Sequence, residues 1–296
     1  MKILVPVDFS DITNSLIRLS KSIAEVNNAE IILFHTVSPA FYIPYPESIS
    51  VEIVDLKLLE QIEEKAKKEA QAKLEALAES LKPLNVRCVV EVGDARESIL
   101  DIEERENIDL LIMASHRKGL VEKVLIGSIA EKIARHSIKP ILILKGKEIE
   151  KPKNIVIAYD FSKTSEKALY FTIETFRSFQ PHITLLHIEE DINLPIVEEV
   201  KESVTEKYSE EKKKYLGNLA QKIASQGIEV SLVIRKDNNP ADSIVNYVKE
   251  NENIDLLVIG SKGLSGLKRI ILGSTSSEVF RKVEKPVLIY KEGREK

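Results

Sequence analysis

The chain has 296 residues, 43% hydrophobic and 30% charged, and its 43 Lys and Arg against 47 Asp and Glu give a formal net charge of -4. That length exceeds one modest core and points to two domains, and the composition excludes a disordered or fibrous chain. The acidic balance argues against a general nucleic-acid binder, which needs a basic face for phosphate contacts.

The opening stretch MKILVPVDFSD meets an acid after a few apolar residues. It lacks the apolar region and small-residue cleavage site of a secretory signal, so it reads as the first strand, near 2–7, of a cytoplasmic protein. A second β-branched run, IILFHT, predicts a strand near 30–36. After it, SPAFYIPYPES carries three prolines and reads as an irregular loop. Further strands are predicted near 86–92, 108–114 and 140–145. Cys88, the single cysteine, falls in the third of these and is expected to be a buried strand residue. Being alone, it excludes an internal disulfide and offers no metal-ligand spacing. The polar stretch KGKEIEKPKN, residues 145–154, reads as a linker. Five more strands follow near 154–159, 182–188, 228–234, 254–260 and 286–291, and the Glu- and Lys-rich residues 195–225 read as a long solvent-facing helix. No apolar run approaches the roughly 18 residues of a membrane span.

The halves repeat each other. KILVPVDFS returns as NIVIAYDFS, IILFHT as ITLLHI, and IDLLIMAS as IDLLVIGS. The interval from Asp8 to Asp160 equals that from His35 to His187, so the first βαβ unit recurs without an insertion. Gly127 with Gly273, and Pro140 with Pro286, share a slightly shorter interval, which puts the length difference in mid-repeat. Short apolar runs alternating with amphipathic or charged stretches predict an α/β fold: in each half an open five-stranded parallel sheet with helices on both faces. The third strand of each half is the most polar and the expected edge. The domains are read as 1–147 and 152–293.

The chemistry-bearing motif follows the fourth strand of the second half. In GSKGLSGLKRIILGSTSSEVF, Gly260 and Gly263 let the backbone leave the strand and approach a bulky anion without a Cβ in the way. Gly273 and Ser274 open the last helix, where unpaired N–H groups and the helix dipole favour phosphate, and the Ser274 and Thr275 hydroxyls add donors. The bland alternative is a glycine turn with serine as helix cap. Asp8 and Asp160 could likewise merely cap the helices that follow them. His35 and His187 read as packed strand residues. No Ser-His-Asp order, activated cysteine, paired carboxylates or G-x4-G-K-[S/T] loop occurs, so no catalytic residue is assigned. The five histidines, His35, His116, His136, His182 and His187, form no ligand pair, and no metal site is expected.

This arrangement resembles the universal stress protein family, whose ATP-binding members carry G-x2-G-x9-G-[S/T] after the fourth strand of a five-stranded parallel sheet. The resemblance covers essentially the whole chain twice. It includes Asp8 and Asp160, His35 and His187, and the pairs Lys139-Pro140 and Lys285-Pro286. It implies the sheet order 3-2-1-4-5, with the ligand at the switch point between strands one and four. It implies ATP or a related nucleotide, accompanied by magnesium on the phosphates, with Asp160 near the ribose or adenine edge and the backbone around Ile188 on the adenine. It also implies that exposed fifth-strand edges pair between the domains as an intramolecular pseudo-dimer, and a homodimer of chains is a further expectation.

The first half departs from the motif. Ala114 and Arg117 replace the two early glycines, while Gly127 and Ser128 remain. A non-glycine in a left-handed turn costs roughly 1 kcal/mol or more, so weak or no nucleotide binding is expected there, unless Arg117 offers its guanidinium to an anion. Three readings of function stay open: a stress-response sensor or regulator holding ATP in the second domain, a slow magnesium-dependent ATPase or phosphotransferase, and a nucleotide-free interaction scaffold.

Overall fold

The computed structural model describes residues 1–39, 56–115, 127–146, 148–191, 198–261 and 272–292. The loop expected at 38–48 lies largely outside them, as do His116, Arg117 and Gly263. The chain divides into two compact units, with the boundary between Ile143 and Leu144.

The first unit runs β1 (Lys2–Pro6), α1 (Thr13–Asn27), β2 (Glu30–Val37), α2 (Leu56–Glu79), β3 (Val86–Val92), α3 (Ala95–Arg105), β4 (Leu110–Ala114), α4 (Ser128–His136) and β5 (Ile141–Leu144). The second runs β6 (Asn154–Ala158), α5 (Lys163–Phe176), β7 (His182–Glu189), α6 (Glu198–Ala224), β8 (Glu229–Lys236), α7 (Pro240–Glu250), β9 (Leu256–Gly260), α8 (Ser274–Lys282) and β10 (Val287–Tyr290). Within the first unit the strand order is β3-β2-β1-β4-β5, and within the second β8-β7-β6-β9-β10. Both are the expected 3-2-1-4-5, and the registered pairs are parallel.

The sheets are covered on both faces because their central strands are apolar without alternation. Successive strand residues point to opposite faces, yet all four residues of β5 and the first four of β4 are buried. Fully burying one such aliphatic side chain contributes about 1.5–3 kcal/mol. The outer strands β3 and β8 instead hold mostly half-buried residues. That edge position corrects the expectation for Cys88, which is half-buried. Partial burial still raises its thiol pKa, and the nearby Glu75 carboxylate adds to the rise.

Helix starts follow side-chain chemistry. Asp94 caps α3 by accepting from the N–H groups of Arg96 and Glu97, Ser162 caps α5 through Ser165 N–H, and Asn239 caps α7 with Pro240 in its first turn. The Arg96 side chain, followed by the backbone donors, holds the Asp94 carboxyl down at about 2. A carboxylate with a depressed folded pKa stabilises above its unfolded pKa, and that contribution fades as pH falls toward the folded value. Asp94→Ala is therefore expected to cost about 1 kcal/mol at neutral pH. Urea melts across the acid range should show the gap to the unsubstituted chain closing between about pH 4 and pH 2.

Two expectations need correction. Lys145, read as the start of a polar linker, is 1% exposed, and Ile149 and Pro152 are buried too. Helix α6 falls where a long solvent-facing helix was expected, but Leu216, Leu219 and Ile223 are buried, and Ser209 donates to Glu189 at 3.1 Å.

Candidate functional site

In the second unit β6 and β9 are neighbours whose chains leave toward opposite sides of the sheet, and a cavity of about 420 Å³ opens at their C-terminal ends. Its floor comes from the ends of β6, β7 and β9, which bring Asp160, Ile188 and Gly260 together. Gly273, Ser274, Thr275 and Ser276, at the start of α8, form one wall, and Tyr208 and Lys212 of α6 join the lining. Every described residue expected at the site therefore lines one cavity. Gly263 lies outside the described residues.

The phosphate-suited wall is built by backbone. Gly273 N–H donates to Ser261 O at 2.8 Å, and Ser276 Oγ donates to Gly260 O at 2.6 Å, so the first turn of α8 is tied to the end of β9. The helix N-cap is Gly273 and not serine, and it brings no side-chain acceptor. The first intrahelical bond runs from Ser277 N–H to Gly273 O. Among the described residues, the N–H groups of Ser274, Thr275 and Ser276 have no backbone acceptor, which leaves the positive end of the helix at this turn. The serine-cap alternative thus fails here. Among the described residues a Cβ added to Gly273 would meet only Ser261 O, at 3.5 Å, an ordinary contact, so their packing does not require glycine.

The other end of the cavity is held by the loop after β6. Asp160 Oδ1 accepts from Ser162 N–H at 3.0 Å and from Ser162 Oγ at 2.5 Å. Ser162, not Asp160, caps α5, which leaves Asp160 as a half-buried carboxylate whose position is fixed by its neighbours. Between them Phe161 adopts the left-handed φ of 63°, as Phe9 does at the matching place with 57°. Such a conformation costs about 1–2 kcal/mol for a residue with a Cβ, and ring packing offsets it. The Phe161 ring lies 4.8 Å from that of His187, 5.5 Å from Tyr159 and 5.6 Å from Tyr215. The strain expected at Ala114 is absent, because Ala114 and Gly260 both close strands in extended backbone.

His187 is packed as expected, and its bonding pattern adds a feature. Nδ1 lies 2.9 Å from Tyr159 O, and a carbonyl only accepts, so Nδ1 carries the proton. Nε2 is then a bare acceptor, and it is buried without a partner. Burial lowers the ring pKa against the opposing pull of the Tyr159 carbonyl, and the Lys212 charge lowers it further. Tyr159 beside it is held protonated by burial and by its hydrogen bond with Tyr215.

Tyr208 and Lys212 escaped the sequence reading. The Lys212 Nζ sits 4.5 Å from the Tyr208 ring centroid and 5.9 Å from that of Phe161. Among the described residues it makes no ion pair with a carboxylate. A usable signal was present: Tyr208, Lys212 and Tyr215 recur at i, i+4 and i+7, one face of a helix, within a run whose many charges masked it. Among the described residues no group of three or more His, Cys, Asp or Glu is placed to hold a metal ion, and no helix is long and apolar enough to cross a membrane.

The universal stress protein family profile matches residues 1–145 and again 151–291. The chain belongs to the universal stress protein family. It is of the tandem type. A universal stress protein of Mycolicibacterium smegmatis is 21% identical over 295 residues, 97% of this chain and 96% of the relative. Single-repeat members match half of it: Universal stress protein MJ0577 of Methanocaldococcus jannaschii is 30% identical over 155 residues, covering 49% of this chain and 95% of that protein. Among solved structures, a universal stress protein from Archaeoglobus fulgidus aligns with a TM-score of 0.70 at 20% identity, over 100% of this chain and 97% of that one, which shows the shared fold.

Proposed function

We propose that this universal stress protein is a cytoplasmic sensor or regulator that binds ATP or a related nucleotide in its C-terminal domain, residues 152–293. The observation that carries the reading is the uncapped first turn of α8, facing a cavity whose opposite end holds a fixed carboxylate. The first-turn N–H groups of α8, without an acceptor among the described residues, and the Ser274 and Thr275 hydroxyls suit phosphate oxygens, together with the glycines Gly260, Gly263 and Gly273. Asp160 suits the hydroxyls of a ribose or a base edge, and the Ile188 backbone, which lines the same cavity, suits adenine. The buried, unpartnered His187 Nε2 calls for a donor that the protein does not supply. Magnesium, when present, would neutralise phosphate charge.

Thermal unfolding with and without millimolar ATP and magnesium tests the reading, repeated with Gly263→Arg, which copies Arg117 of the first domain. A rise that Gly263→Arg removes supports it. No rise, once co-purified nucleotide has been excluded, favours the scaffold. Magnesium-dependent phosphate release would favour the ATPase. The paired fifth strands and the dimer of chains remain part of this proposal; hydrogen exchange at those strands and sedimentation equilibrium test them in turn.

Lys212 is a cation held by rings instead of carboxylates, and so is available to a ligand anion. Lys212→Gln is expected to weaken ATP binding about tenfold, or about 1.4 kcal/mol, and to leave adenosine binding nearly unchanged. Calorimetric titration of both ligands checks this.

A further inference from the structure

We propose that the N-terminal domain carries a second, chemically different site, which takes a neutral and mainly apolar small molecule. A cavity of about 330 Å³ opens there at the ends of β1, β2 and β4, beside the start of α4. That volume and its mostly apolar lining match ordinary small-molecule sites.

The two cavities share a frame and differ in lining. Where α8 opens with Ser274, Thr275 and Ser276, α4 opens with Ser128, Ile129 and Ala130, so two of three hydroxyls are gone. Ile12 and Leu16 of the first cavity stand where the second repeat has Thr164 and Ala168. The charged groups differ as well. Asp160, Glu190 and Lys212 line the second cavity, whereas Asp8 is the charged group among the described residues lining the first, with no Lys or Arg. With no cation among those lining residues and Lys73 placed over the Phe9 ring, 5.4 Å from its centroid, the described lining favours a neutral guest over a polyphosphate.

Ile129 supplies an independent sign. It lines this cavity in the first turn of α4 and is 39% exposed, an aliphatic side chain that an apolar guest would cover. Asp8 provides a charged polar anchor. Its Oδ1 accepts from Ser10 N–H at 3.0 Å and Ser10 Oγ at 2.5 Å, and this fixes a carboxylate able to accept from a hydroxyl or amine on the guest.

The test uses the full chain and N-phenyl-1-naphthylamine, a neutral probe that fluoresces in apolar surroundings. Saturable binding of one probe per chain is expected, with excess ATP or tripolyphosphate failing to displace it. Ile129→Glu places an acid in the first helical turn, where the dipole favours it. It should therefore fold, as a melting curve would confirm, yet bind the probe at least tenfold more weakly, while Ile129→Leu keeps the affinity. Absence of saturable binding, an unchanged affinity in Ile129→Glu, or displacement by tripolyphosphate would overturn the proposal. This outcome is independent of nucleotide binding in the second domain: a chain that ATP does not stabilise but that binds the probe at Ile129 loses the first reading and keeps this one.

Discussion

On the proposed reading, Gly273→Asp is expected to abolish an ATP-dependent rise in melting temperature while leaving the unliganded chain at least as stable as before. Gly273 has φ -58° and ψ 160°, which an ordinary residue adopts freely, and there is room for a Cβ. Aspartate is a preferred N-cap and exceeds glycine by a few tenths of a kcal/mol there, so the fold should gain slightly. The new carboxylate would take the N–H groups proposed for phosphate and would set a negative charge against a triphosphate. For the unsubstituted chain at about 100 times the dissociation constant, mass action stabilises by about 2.7 kcal/mol. In a domain of this size that corresponds to a rise of about 5–10 °C. Differential scanning calorimetry with and without ATP checks both halves of the prediction. A variant that keeps the rise would place the phosphates elsewhere.

The second large effect concerns Lys145. Its Nζ donates to the carbonyls of Phe280 and, at 3.1 Å, Val283, near the C-terminal end of α8, and it lies 4.1 Å from the Phe280 ring centroid. Burial lowers its pKa to about 7. Between pH 7 and its ordinary range near 10.5 the unfolded chain then binds more protons at this residue than the folded one, so stability rises with pH. From pH 7 to pH 9 the gain from this one group is about 2 kcal/mol. Lys145→Met should remove that slope, and urea denaturation at pH 7, 8 and 9 would show it. An unchanged slope in the variant would mean that the ammonium stays charged in place, held by the helix carbonyls.

How far the sequence reached depended on how local the cause was. Each of the ten strands begins and ends within about two residues of its expected range, because unbroken β-branched runs bounded by polar turns are a short-range signal. The repeat fixed the order of the elements, and one strand order served both halves. Asp160, Ile188, Gly260 and Gly273 were legible as neighbours because parallel strands deliver their C-terminal residues to one edge of the sheet. Tyr208 and Lys212 were not, because α6 is charged along its length and only its docking decides which face meets the cavity. Cys88 was misread for the same reason, since apolar alternation tells which face a residue takes but not how well an edge strand is covered. Arg117 and Gly263 lie outside the described residues.

The sequence by itself determined the doubled α/β frame, the parallel order and the chemistry placed at each strand end, because these follow from periodicity, spacing and residue type along the chain. Tertiary structure decided that the starts of α4 and α8 carry no side-chain cap, that Lys145 was buried and lowered to about 7, and that Lys212 faced the cavity over aromatic rings. It also decided that the two related cavities carry different linings. Those outcomes depend on hydrogen-bond partners and desolvation set by residues distant in the chain, and no local pattern encodes them.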